Sequence, residues 1–201
     1  MKKIFGVIVM ILLIGSLAAC NHNNSDSKPN RISAADLSDR EDTILSTITS
    51  KSFVFTFNNT DYREVTLWIE KYEDGELVDD QLGGMTTQVG ERGSIVLANA
   101  KLDNEEQLSF LIGAGDEDGT ASAHVLDENL RDEDFSSTVY SDLPGEKTLD
   151  DGEIVLANIA YSNNEYGISS ISNQFFEDPE VHMDELKEYS VAYLLKVAFV
   201  E

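Results

Sequence analysis

A two-sheet β-sandwich, with immunoglobulin-like or related Greek-key connections, is the architecture to which this all-β sequence points, and a closed β-barrel is the alternative. Three observations carry it. From Ser52 onward apolar residues recur with a period of two, Gly-, Asn- and Asp-rich turns separate the short apolar runs, and no long helical period follows Ile48. Residues 50–201 have room for about eight to ten strands at that spacing. With 41% hydrophobic residues, the chain can build one sizeable core.

The chain opens on Met1-Lys2-Lys3, a short cationic segment, followed by an apolar run from Ile4 to Ala19 interrupted by Gly6, Gly15 and Ser16. That is the layout of a secretory signal. The run is shorter than the ~20 residues a helix needs to cross a ~30 Å hydrocarbon core. Leu17, Ala18 and Ala19 stand directly before Cys20, the only cysteine of the chain. This stretch resembles the lipobox of bacterial lipoproteins, in which a leucine and two small residues precede an invariant cysteine. The resemblance implies that the signal, residues 1–19, is cut away and that Cys20 becomes a diacylated N-terminus. It also implies a place on the extracytoplasmic face of the cell membrane, with the lipid bilayer as partner. Two acyl chains hold a protein at a bilayer where one myristoyl-length chain binds only reversibly. A single cysteine leaves no internal disulfide, so the domain is held by its core.

Residues 20–32 read as a tether. Asn21 to Arg31 (NHNNSDSKPNR) is polar and broken by Pro29, with no large apolar group to offset the entropy of ordering it. His22 is then a solvated tether residue. Over residues 33–49 a short helix is expected: Ser33 to Asp36 has the spacing of a capping box, Ile32 and Leu37 flank it as a staple, and Leu37, Ile44, Leu45 and Ile48 follow at helical intervals. The β-branched Thr43, Ile44, Thr47, Ile48 and Thr49 argue against it, since such side chains lose rotamer freedom in a helix.

In the β-domain, Phe53, Phe55 and Phe57 alternate along a first strand, Asn58 to Asp61 turns the chain, and Val65, Leu67 and Ile69 alternate along a second that runs to Tyr72. Asp74-Gly75 marks a tight hairpin, and Leu77-Val78 begins the return. This strand-turn-strand phrase, Val65 to Val78, is similar to segments of small Gram-positive lipoproteins without an assigned function, and the similarity brings no site residues. Gly83-Gly84 and Gly90 to Gly93 bracket a short strand, Met85 to Val89. An internal repeat follows: Gly93-Ser-Ile-Val-Leu-Ala-Asn99 recurs as Gly152-Glu-Ile-Val-Leu-Ala-Asn158. Each copy leads through an Asn-rich turn into a further strand, Gln107 to Ile112 and Tyr166 to Ile171, so two hairpins are expected at equivalent places in two packed sheets. Thr120 to Leu126 reads as a strand, and Pro144-Gly145 as a turn. Asp178 and Pro179 open one helical turn as N-cap and first residue. The chain ends on a strand, Tyr189 to Val200, apolar on both faces and therefore internal to a sheet.

The charge narrows the function. The chain carries 38 acidic against 14 basic residues, net −24, and loss of Lys2 and Lys3 with the signal takes it to −26. Such a surface repels phosphate, which disfavours nucleic acid and anionic lipid as partners. Ala114 to Thr120 is acidic and Gly-rich but lacks the ligand spacing of a helix-loop-helix calcium site, and Asp127 to Asp134 reads as a solvated loop. His182 has no second His or Cys at ligand spacing, so no metal is expected. His124, with Ser122 nearby, is the place where a Ser-His-Asp site could form, although a strand histidine bonded to a neighbour is the simpler reading. No Gly-x-Ser-x-Gly, phosphate-binding glycine loop or His-Glu-x-x-His is present. No catalytic residue and no cofactor are therefore assigned. The expectation is a non-enzymatic, membrane-anchored binding or accessory module meeting an envelope protein, marked by an exposed aromatic patch at Trp68 or Tyr72. A divalent-cation-responsive acidic surface protein and an unrecognised hydrolase are the alternatives.

Overall fold

The structure is a computed structural model and describes residues 30–100, 107–131, 134–150, 152–164 and 167–201. The signal, the lipobox residues Leu17, Ala18 and Ala19, Cys20 and His22 lie outside the described residues. Two antiparallel sheets pack face to face, and they do not close into a barrel.

The first sheet is built from β1 (Arg31–Ala34), β2 (Thr49–Asn58), β5 (Arg92–Ala100), β6 (Leu108–Asp116), β7 (Thr120–Asp127) and β9 (Glu146–Thr148), in the order β7-β6-β5-β2-β1-β9. The second holds β3 (Glu64–Glu73), β4 (Glu76–Gln88), β8 (Ser137–Asp142), β10 (Glu153–Ser162) and β11 (Val191–Val200), in the order β4-β3-β11-β10-β8. Alternation decides what each strand buries. Phe53, Phe55 and Phe57 of β2 face inward across from Leu97, Ile95 and Gly93 of β5, and they meet the inward row Val191, Tyr193, Leu195, Val197 and Phe199 of β11. β11 lies between β3 and β10, as a strand apolar on both faces must. The turn at Asp74 and Gly75 has φ of 49° and 81°, the left-handed pair that a two-residue hairpin needs.

Several elements differ from the sequence expectation. Arg31 and Ile32 belong to β1 rather than to a tether, because Ile32 has a core position opposite Phe57. The helix is α1 (Asp39–Ile48), and its capping box is Ser38 with Glu41, not Ser33 with Asp36. The Ser38 hydroxyl accepts from Glu41 N while the Glu41 carboxylate accepts from Ser38 N at 2.9 Å. No residue of α1 is buried. Gly83-Gly84 does not break β4, which runs through it. A Cβ on Gly83 would stand 2.6 Å from Val125 of β7, so this glycine lets the edges of the two sheets close on each other.

The internal repeat falls on β5 and β10, interior strands of opposite sheets. Its second copy has no hairpin partner at Gly167 to Ile171, which is not strand; β10 pairs instead with β11 and β8. A bulge between Val155 and Ala157 shifts the phase of β10 by one residue. Asn99 therefore points into the sandwich and donates to the Tyr161 hydroxyl at 3.1 Å, whereas Asn158 faces outward and its Oδ1 has no partner among the described residues.

α2 (Asn173–Glu177), α3 (Pro179–His182) and a 3-10 helix (Met183–Glu188) precede β11. Pro179 opens α3 as expected, but the Asp178 side chain makes no cap bond. α2 packs on β10, and Lys187 reaches Gly75 at the β3–β4 turn. With Phe175, Phe176 and Leu186 buried, this segment roofs the outer face of the second sheet.

Candidate functional site

The outer face of the first sheet has no such roof over its β6–β7 end among the described residues, and a concave surface lies there. Along β6 the residues alternate Phe110, Ile112, Ala114 inward and Leu111, Gly113, Gly115 outward. Gly113 lies between Val96 of β5 and Ser122 of β7, and Gly115 between Ser94 and Thr120. Two adjacent outward positions without side chains sink the sheet surface into a trough of about 640 Å³. Leu111, 38% exposed, forms one end, and Arg92 and Asp116 stand at the other. The walls offer methyl groups and three hydroxyls, suited to an extended or apolar ligand held by a few polar contacts.

The β6–β7 turn closes the trough, and its acidic residues have internal work. Asp116 Oδ2 accepts from Gly90 N at 2.6 Å, and Oδ1 accepts from Asp118 N at 2.8 Å and Gly119 N at 3.2 Å. The Gly90 and Asp118 N–H groups hold this carboxyl below the usual aspartate range. Among the described residues no group of three or more His, Cys, Asp or Glu side chains is arranged to hold a metal ion.

His124 lies on the same outer face, exposed, with Nε2 2.6 Å from the Ser109 hydroxyl. Ser122, two residues before it, lines the trough instead. Ser109 is only 2% exposed, and no carboxylate is recorded on His124 Nδ1 among the described residues. A working triad needs both an orienting acid and a reachable nucleophile. His182 sits apart on α3, its Nδ1 3.3 Å from Glu185, which also accepts two hydrogen bonds from Ser172.

The aromatic pair expected at the surface is buried. Trp68 is 9% exposed and Tyr72 5%, and each donates to Glu70 on the same strand. Burial, then the adjacent Glu70 carboxylate, pushes the Tyr72 hydroxyl well above the ordinary tyrosine value. Lys196 completes this cluster with ion pairs to Glu70 at 2.8 Å and Glu153 at 2.9 Å.

A second charged cluster lies between the sheets. The inward phase of β3 continues from Ile69 to Lys71, which is 5% exposed. Its Nζ is 2.7 Å from Asp127 Oδ2 and 2.8 Å from Glu73 Oε1. Asp127, at the end of β7, is 1% exposed and not a solvated loop residue. It also accepts from the Tyr193 hydroxyl at 2.9 Å and from Asn129 N at 3.0 Å. Burial opposes charge on both groups, yet their mutual hydrogen bond and those of Glu73, Asn129 and Tyr193 outweigh it, holding the lysine above and the aspartate below their usual values.

Sequence reasoning missed the trough and this cluster. Each had a signal: two glycines on one face of a strand, and a lysine at the next inward position after Val65, Leu67 and Ile69. No curated protein and no solved structure matches the chain. The model of the YgaN domain matches residues 31–199, from the first residue of β1 nearly to the end of β11, and the chain belongs to the YgaN domain family.

Proposed function

We propose that this protein is a lipoprotein anchored through Cys20 on the extracytoplasmic side of the cell membrane, and that it acts as a non-enzymatic binding or accessory module. Its partner is an envelope protein, engaged at the trough on the first sheet. The observation that carries this reading is the open trough itself: Leu111, Val96 and a glycine floor on a stretch of sheet face that no element covers among the described residues. An apolar recess on a chain of net charge −24 favours a partner that is apolar at its centre and basic at its rim. The ten residues from Asn21 to Asn30, which precede β1, span at most ~36 Å, which keeps the partner close to the bilayer.

The test is capture in living cells with a photo-crosslinking residue at Leu111, compared with one at Val78, which is 50% exposed on β4. One envelope protein joined at position 111 of the anchored protein, and at neither position 78 nor in a Cys20→Ser variant, is the expected result. Equal capture from both positions, or none from position 111, overturns it.

A further inference from the structure

We propose that Lys71 and Asp127 join in an intramolecular isopeptide bond that ties the two sheets together. Lys71 belongs to β3 of the second sheet and Asp127 to β7 of the first, and no backbone ladder connects these sheets at that edge. The nucleophile, Lys71 Nζ, is in contact with the carboxyl it would attack, 2.7 Å from Oδ2. Glu73 Oε1, 2.8 Å from the same nitrogen, is placed to take its proton. Asn129 N–H, 3.0 Å from Oδ1, points at the oxygen on which negative charge develops, and the Tyr193 hydroxyl, 2.9 Å from Oδ2, points at the oxygen that leaves.

The atoms balance without any added reagent. Transfer of one proton from Nζ to Oδ2 turns the ion pair into an amine and a carboxylic acid with no change in net charge; burial favours that neutral pair, against the hydrogen bonds that hold the resting pair charged. The amine lone pair attacks Cγ and Oδ1 becomes the oxyanion. Glu73 removes a second proton from the nitrogen. The oxyanion then re-forms the carbonyl, Oδ2 departs with its own proton and the one returned by Glu73, and the products are an amide and one water. Two features of the chain make such a link useful. A bare buried ion pair returns little stability for its desolvation, and with a single cysteine the chain has no disulfide to cross-link an exported domain.

The test is tryptic digestion of the purified full chain followed by tandem mass spectrometry. An acylated Lys71 resists trypsin, so the expected product is the segment from Glu64 to Arg92 joined to the segment from Leu102 to Arg131, lighter than their sum by one water, ~18 Da. The joined species should vanish in Lys71→Arg and Asp127→Ala, and in Glu73→Gln, where the lysine and aspartate remain but the proton acceptor does not. Cleavage after Lys71 in the wild-type protein overturns the proposal whatever the variants do. So does a water loss carried by a single unjoined segment at Asp74 or Asp118, where a succinimide before glycine also releases one water. A Glu73→Gln protein that still cross-links overturns the role given to Glu73.

Discussion

Phe110 and Leu111 are neighbours in β6 with opposite fates, and replacing each in turn by alanine tests the sandwich and the trough together. Phe110 is fully buried, with its ring 4.7 Å from that of Tyr193 in the opposite sheet. Removing it deletes a ring at the centre of the inter-sheet contact, a change that costs about 3–5 kcal/mol. Leu111 lies on the outer face at 38% exposure, and its truncation should cost less than about 1 kcal/mol. Equilibrium urea unfolding separates the two. For a slope of about 2 kcal/mol per molar, Phe110→Ala lowers the midpoint by roughly 1.5–2.5 M, whereas Leu111→Ala moves it by less than about 0.5 M. Leu111→Ala should in turn lose the partner capture that Phe110→Ala, where folded, retains. Equal midpoint shifts for the two variants would refute the assignment of faces along β6, and the trough with it.

Glycine positions give a paired expectation. A Cβ at Gly93 would meet Gly115 O at 2.4 Å and the Phe57 ring at 2.5 Å, so Gly93→Ala should destabilise by about 1–3 kcal/mol, whereas Gly119 has open space and Gly119→Ala should be neutral or stabilising by up to ~1 kcal/mol in thermal melts. Ser38→Ala removes the capping box of a helix that buries nothing. Amide exchange in α1 should accelerate by the equivalent of about 1 kcal/mol while the midpoint of global unfolding holds. Burial, aided by the Glu185 and Glu188 charges, pushes the Tyr189 hydroxyl up to about 12. A raised folded value means that its stabilisation is complete below the unfolded value near 10 and is lost as pH rises through about 12, so alkaline melts should fall in that window and Tyr189→Phe should flatten the fall.

The strands that could be read from sequence were those in which period and chemistry agree. Phe53, Phe55 and Phe57, then Val65, Leu67 and Ile69, then the doubly apolar end strand, each name a face, and the tight turn at Asp74-Gly75 fixes how two of them join. What escaped was set by contacts between distant segments. Gly83-Gly84 has the composition of a turn and is a point where Val125 packs against β4. The two copies of Ile-Val-Leu-Ala-Asn look alike, and one bulge sends Asn99 inward and Asn158 outward. Asp127 opens an acidic run that reads as solvated, and only the arrival of Lys71 and Tyr193 from the other sheet makes its burial tolerable. Ser38 rather than Ser33 is the cap, because Ile32, read as a staple, is drawn with Ser33 into β1 and the core.

The anchor at Cys20 is the claim on which the functional account rests, and the state of the mature N-terminus tests it most directly. Membranes from cells carrying the wild-type protein and its Cys20→Ser variant should be partitioned with detergent and the N-terminal fragment of each weighed. The account predicts a wild-type fragment that begins at a diacylated Cys20 and enters the detergent phase, beside a serine variant that does not. A wild-type fragment with a free Cys20 thiol, recovered from the aqueous phase, would contradict it.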